Sequence, residues 1–230
     1  MSIEKDDAVT GEKQTALRKG DITRERILKA ARQVFADNSY NAASIRMIGK
    51  VGGFDHPLIH YYFPSKAELF EAVIEDICRE FHEAYVSWFD GIESRLPADA
   101  LPVFIERLLD YNLENPEALR MIMQNVAQID RLEEIPGYQH IPRILEKNRE
   151  VFDQKVSHQA TPETVSMFIN SFNSLVIYYL GANSCQAQAL GMDAQSDQYR
   201  EWVKQTLLFI FLPRLEAMIF GEKDKKAEEK

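Results

Sequence analysis

Between residues 44 and 66 the chain gathers side chains suited to reading a nucleic acid: Ser44 and Arg46, then His56, Pro57, Leu58, His60, Tyr61 and Tyr62, and finally Lys66. Each type has a distinct use there. An arginine fork is the commonest reader of guanine, an imidazole presents a donor and an acceptor to a base edge, and a leucine suits a thymine methyl. Phenols, hydroxyls and ammonium groups suit phosphate oxygens. Two positions stay open on residue type alone. Arg46 fits a base contact, a phosphate contact or a solvated surface, and Tyr62 fits either a phosphate contact or internal packing.

These groups need a rigid support, and the surrounding residues predict one. Ser44 caps a short helix whose apolar side is Ile45, Ile48 and Val51, and Gly52-Gly53 ends it with the conformational freedom of a tight turn. Asp55 caps a second helix, Pro57 falls in its first turn, and Ile59 and Phe63 sit four apart on an inward face. His56, Leu58, His60 and Tyr61 then face outward. This is a helix-turn-helix pattern. Upstream, Thr23 is the expected cap of a first helix, with Ile22 and Ile27 as a hydrophobic staple and Asn38 as a left-handed stop. Downstream, Ser65-Lys66-Ala67-Glu68 reads as a capping box. It opens a long helix whose stripe of Phe70, Val73, Ile74, Ile77, Phe81, Tyr85 and Trp88 forms a connecting rod.

Over about residues 22 to 75 the chain resembles a TetR-family transcriptional regulator. The motifs that carry the likeness are Ile27-Leu28-Lys29-Ala30-Ala31-Arg32-Gln33-Val34-Phe35-Ala36, the Ser44-capped helix, and the run Tyr61-Tyr62-Phe63-Pro64-Ser65-Lys66. Beyond Phe81 the likeness is only architectural. It implies that Arg46 can enter the groove, that His56 and Pro57 point where bases are read, and that Ser44, Tyr61, Tyr62 and Lys66 contact phosphate. His60 departs from the family's usual tyrosine and fits either a base or a phosphate contact. Gly49 stands where the family has alanine, which costs helix stability of up to about 1 kcal/mol while permitting a closer approach of the next helix.

Charge supports the same division. Residues 22 to 66 carry seven basic and three acidic residues, so this +4 segment leaves −13 for the remainder of a chain whose total is −9. A basic module on an acidic body attracts phosphate locally and repels DNA elsewhere. The 45% hydrophobic content suits a buried core. No run reaches the roughly 18 to 20 apolar residues of a membrane span, and the first residues lack a signal peptide's apolar centre, so the expected location is cytoplasmic, without membrane association. Cys78 and Cys185 lack ligand spacing, and His56, His60, His82, His140 and His158 contain no HExxH motif and no nucleophile elbow. No metal, cofactor or enzymatic activity is expected.

The predicted fold is all-α: an amino-terminal three-helix helix-turn-helix module (21–66), preceded by a flexible arm (1–20), joined by a long helix to a larger helical ligand-binding and dimerisation domain (67–221) with a charged tail (222–230). Within that domain helical spacing predicts segments near 98–113, 116–129, 141–157, 162–181 and 197–220, with 182–196 ambiguous. The last two long segments are apolar on more than one side, which a four-helix bundle at a two-fold dimer interface would satisfy. The resemblance implies the same dimer, and a small-molecule pocket among the middle helices. Candidate lining residues are Phe81, Tyr85 and Trp88 on the rod; Phe104 and Leu108; Met121, Met123, Asn125 and Gln128; and Phe168, Asn170, Phe172 and Asn173. Most of these fit an ordinary core equally well. The amides of Asn170 and Asn173 are the more informative, because a buried amide needs a partner.

The resulting expectation is a homodimeric repressor that holds a palindromic double-stranded operator, two recognition helices entering major grooves about 34 to 36 Å apart, and that releases it on binding a small apolar or amphipathic effector. The alternative is a DNA-bound protein of the same fold that recruits a protein partner and senses no small molecule.

Overall fold

The computed structural model of the chain describes residues 4–126 and 134–221, and among them every regular element is helical. Gln128 and the tail 222–230 lie outside the described residues. The elements are α1 (Glu4–Asp37), α2 (Ile45–Gly52), α3 (His56–Tyr62), α4 (Lys66–Ser87), α5 (Pro97–Glu114), α6 (Pro116–Val126), α7 (His140–Lys155), α8 (Pro162–Val176), α9 (Asn183–Ala189) and α10 (Asp197–Phe220). A π-helical turn, Ile177–Gly181, continues α8.

The amino terminus departs from the sequence reading. Residues expected as a flexible arm are helical from Glu4, so Thr23 is interior and its hydroxyl bonds back to the Lys19 carbonyl at 2.9 Å. The segment has no apolar stripe, but its Glu, Lys, Gln, Ala, Leu and Arg residues favour helix and no proline interrupts them. Asn38 does not take the left-handed conformation. Its amide side chain donates to the Val34 carbonyl at 3.0 Å, and no non-glycine residue has positive φ among those described.

Two cores divide the molecule. The first joins α1, α2 and α3 through Ile27, Phe35, Ile48 and Ile59, but it does not stop at residue 66: Leu69, Phe70, Val73, Ile74, Ile77 and Cys78 of α4 and Ala118 and Met121 of α6 belong to it. The second joins the distal end of α4 to α5, α8 and α10 around Trp88, Ile105, Leu108, Val203 and Leu207. Helix α4, at 22 residues, spans about 33 Å and enters both. A second bridge was not anticipated. Helix α6 packs on α1 at one side and on the π-helical turn at the other. There a Cβ on Gly181 would stand 2.7 Å from the Leu119 carbonyl oxygen, so only glycine admits that approach.

Candidate nucleic-acid interface and regulatory cavity

Local chemistry sets the angle between α2 and α3. The Ser44 hydroxyl accepts the Met47 amide at 3.3 Å, and Gly53 closes α2 in the left-handed conformation with φ 70°. A Cβ on Gly49 would lie 2.6 Å from the Phe54 carbonyl oxygen, so the close approach that the glycine permits is to the turn before α3 and not to α3 itself. Asp55 has the extended backbone of a cap, although its side chain makes no capping bond. Ile59 and Phe63 are buried, which turns His56, Pro57, Leu58 and Tyr61 outward. Tyr61 is 80% exposed, more than packing on its neighbours would require. Tyr62 is half-buried, edge-on to Tyr61 with ring centroids 5.1 Å apart. Arg46 is exposed and, among the described residues, has no ion-pair partner; it borders a shallow groove between α2 and the start of α3 with Lys50, Asp55 and His56.

Several cations of this module are already engaged. The Lys66 ammonium donates to the carbonyls of Tyr40 at 2.8 Å and Ala43 at 3.1 Å and stands 4.4 Å from the centre of the Tyr40 ring. It holds the loop that precedes Ser44. Arg32 bonds to Glu80 at 2.5 Å and lies 3.7 Å from Glu117, tying α1 to α4 and α6. Arg24 and Arg26 remain exposed but rest over the rings of Phe63 and Phe54. His60 is oriented from within: Nδ1 lies 3.0 Å from the Pro64 carbonyl, and Nε2 lies 3.3 Å from Nε2 of His56.

In the larger core, a cavity of about 300 Å³ opens between the ends of α4, α7 and α10, the start of α5 and the middle of α8. Of the predicted lining residues, Tyr85, Phe104, Phe168, Phe172 and Asn173 border it. Burial pushes the Tyr85 phenol far above its ordinary pKa, with Asp153 adding to the effect. Phe81, Trp88 and Leu108 do not line it; they pack in the surrounding core, Trp88 edge-on to Phe81 and Phe104. Met121 lies in the other core, where burial is complete. Met123 lines none of this cavity and lies against Gly181. Asn125 is buried for a different purpose: its Oδ1 accepts the Tyr40 amide at 3.0 Å and its Nδ2 donates to Met121 at 2.8 Å. Asn170 is exposed and bonds to Ser166, so its amide demands no ligand. Sequence reasoning missed Phe89, Ile92, Phe152, Leu215 and the two cations at the cavity, Arg95 and Lys155. The residues 88–96 that bring Arg95 there lie between the predicted helices and carry no periodicity. Lys155 is partly neutralised by Glu93 at 3.3 Å, whose carboxyl is held below its ordinary pKa by local backbone amides and then by that lysine.

Among the described residues no group of three or more His, Cys, Asp or Glu side chains is arranged for a metal, and no single helix is long and apolar enough to cross a membrane. Two short helices, α2 and α3, packed with α1 and rooted through α4 in a larger helical body, define the class of fold: a helix-turn-helix module on a helical domain. Residues 27–73 match the family described as bacterial regulatory proteins, tetR family. It is 31% identical over 102 residues to the HTH-type transcriptional repressor NicS of Pseudomonas putida, covering 44% of this chain and 47% of NicS. The match thus spans about half of that relative's length. The HTH-type transcriptional repressor SCO4008 of Streptomyces coelicolor is 27% identical over 157 residues, 67% of this chain and 77% of SCO4008. The crystal structure of FadR from Bacillus subtilis, in complex with stearoyl-CoA, superimposes with a TM-score of 0.57 over 80% of this chain and 96% of that one, at 16% identity. That likeness concerns the fold. NicS and SCO4008 are named as transcriptional repressors and FadR as a transcriptional regulator.

Proposed function

We propose that the protein is a homodimeric transcriptional repressor that grips a palindromic operator with α2 and α3 and releases it when an amphipathic small molecule fills the cavity bordered by Tyr85 and Phe172. The observation that carries the ligand response is the cavity itself: about 300 Å³, lined chiefly by aromatic and aliphatic side chains, with Arg95 and Lys155 among the polar groups. Such a lining suits an apolar body with one polar or anionic end. Glu93 offsets one of the two cations, so a multiply charged head group is disfavoured. FadR, of the same fold, holds a molecule with an acyl chain.

Dimerisation is supported by α8 and α10, which leave Met167, Phe209 and Ile210 exposed on one side of the body, Phe209 to 84%. A second copy offers the apolar surface that would cover them, as in a four-helix bundle. Coupling has two routes. Tyr85 lies on α4, whose first half is the floor of the DNA-reading module, and α8 continues into the π-helical turn against α6, which holds the Tyr40 amide through Asn125. A ligand acts only through a difference in affinity between DNA-compatible and incompatible states. Asn173→Trp, which fills the cavity, is expected to abolish the response while sparing DNA binding or to mimic the induced state. A thermal-shift screen of fatty acids and related amphiphiles, followed by operator titration at fixed salt, tests this. If a stabilising compound lowers operator affinity equally in wild type and Asn173→Trp, the ligand binds elsewhere.

A further inference from the structure

His56 and His60 lie one turn apart on the exposed side of α3 with their Nε2 atoms 3.3 Å from each other and their ring centres 4.4 Å apart. In water, two imidazoles gain little from that approach. It does match the bite of a metal ion: two nitrogens at ordinary zinc–imidazole distances on a tetrahedral centre are separated by about 3.4 Å. The i, i+4 spacing is also the one by which helices present paired histidines to zinc, here without the intervening glutamate of a protease.

A second observation points the same way. Nδ1 of His60 lies 3.0 Å from the Pro64 carbonyl oxygen, which can only accept, so this nitrogen carries the proton and Nε2 presents its lone pair. Metal-binding histidines are commonly held by such a bond from the second ring nitrogen to a backbone carbonyl, which fixes tautomer and ring orientation. His56 completes the arrangement. Without a cation its Nε2–H donates to His60; with one, the proton resides on Nδ1 and both Nε2 lone pairs point at the ion. No net proton release is required when both rings start neutral.

We propose that His56 and His60 form a bidentate clip for a borderline divalent cation, zinc or a neighbouring transition ion, on the DNA-reading surface, with water filling the remaining positions. A hydrated cation held there occupies the space in front of α3 and engages both imidazoles, so the loaded protein binds operator more weakly. This consequence rests on the DNA-binding reading above; the clip does not.

The test uses full-length protein without a histidine tag. Zinc is titrated in competition with a chromophoric chelator near neutral pH, without DNA, for wild type, His56→Gln, His60→Gln, and the controls His140→Gln and His158→Gln. The tightest site is expected at one ion per chain, weakened at least about tenfold by either clip substitution and unchanged in the controls. NMR supplies a second readout, with Nε2 of both His56 and His60 perturbed in the wild type. A tightest site indifferent to His56 and His60, or zinc shifts confined to other histidines, would overturn the clip. In an operator titration, one equivalent of zinc should weaken wild type and not His60→Gln. Unchanged affinity with the clip demonstrably full overturns the blocking role, whereas failure to bind any operator without zinc contradicts the DNA-binding reading instead.

Discussion

Gly49 tests how far the packing of two short helices depends on one missing methyl. Alanine has the better helix propensity by about 1 kcal/mol, and on that basis Gly49→Ala would stabilise α2. The Cβ would stand 2.6 Å from the Phe54 carbonyl, whose own backbone amide is bonded to Gly49, so the turn cannot simply yield. We expect net destabilisation of about 1 to 3 kcal/mol, read by thermal or urea unfolding. A melting temperature raised above wild type would contradict it. Lys66 poses a similar choice between roles. Its ammonium bonds to Tyr40 and Ala43, which makes it a positioning residue, although its place in the Tyr61–Lys66 motif implies phosphate contact. Lys66→Met should lower stability while leaving the salt dependence of DNA binding unchanged; loss of a phosphate contact would reduce the slope of log K against log salt by about 0.9.

At the scale of elements, the ends and buried sides of α2, α3 and α4 were legible because their signals are local. Ser44, Gly53 and Ser65 terminate helices through bonds to residues a few positions away, and Ile48, Ile59 and Phe70 announce buried sides by spacing. What was not legible depends on partners distant in sequence. The apolar pattern of 162–181 continues unbroken, so nothing in it marks Val176 as the end of α8; the close approach of α6 at Gly181 accompanies the π-helical turn. Asn125 reads as a pocket amide until Tyr40, 85 residues earlier, supplies the N–H it accepts. Lys155 and Arg95 read as surface charges until the cavity brings them together. Asn125→Leu should therefore leave the Tyr40 amide without its acceptor, cost about 1 to 3 kcal/mol, and accelerate hydrogen exchange at that amide. Exchange at the wild-type rate would remove α6 as a coupling route. The α5–α10 contact has an acid-sensitive part. Lys204 and Arg200 hydrogen bonds hold the Glu106 carboxyl below its ordinary pKa, so its contribution is present above the unfolded-state value of about 4.3 and is lost as pH falls through the lower folded value. Because the group is partly exposed, the effect is small, and Glu106→Gln should flatten stability between pH 5 and 3 by no more than about 1 kcal/mol. An unaltered acid profile would show that this pair does not stabilise the contact.

For the whole molecule, the central claim is that α2 and α3, presented twice by a symmetric dimer, read a palindromic duplex. Charge makes orientation part of that claim: the +4 segment faces DNA while the remainder, at −13, is repelled. The most direct measurement is selection from a random duplex library with the purified full-length chain, followed by binding titrations of wild type and Arg46→Ala on the selected sequence at fixed salt. The expected result is a two-fold symmetric motif, one dimer or a whole number of dimers bound per site, and a loss of about 1 to 3 kcal/mol with relaxed preference at defined half-site positions if Arg46 touches a base. Selection of no motif, or of an asymmetric one bound by a monomer, would contradict it.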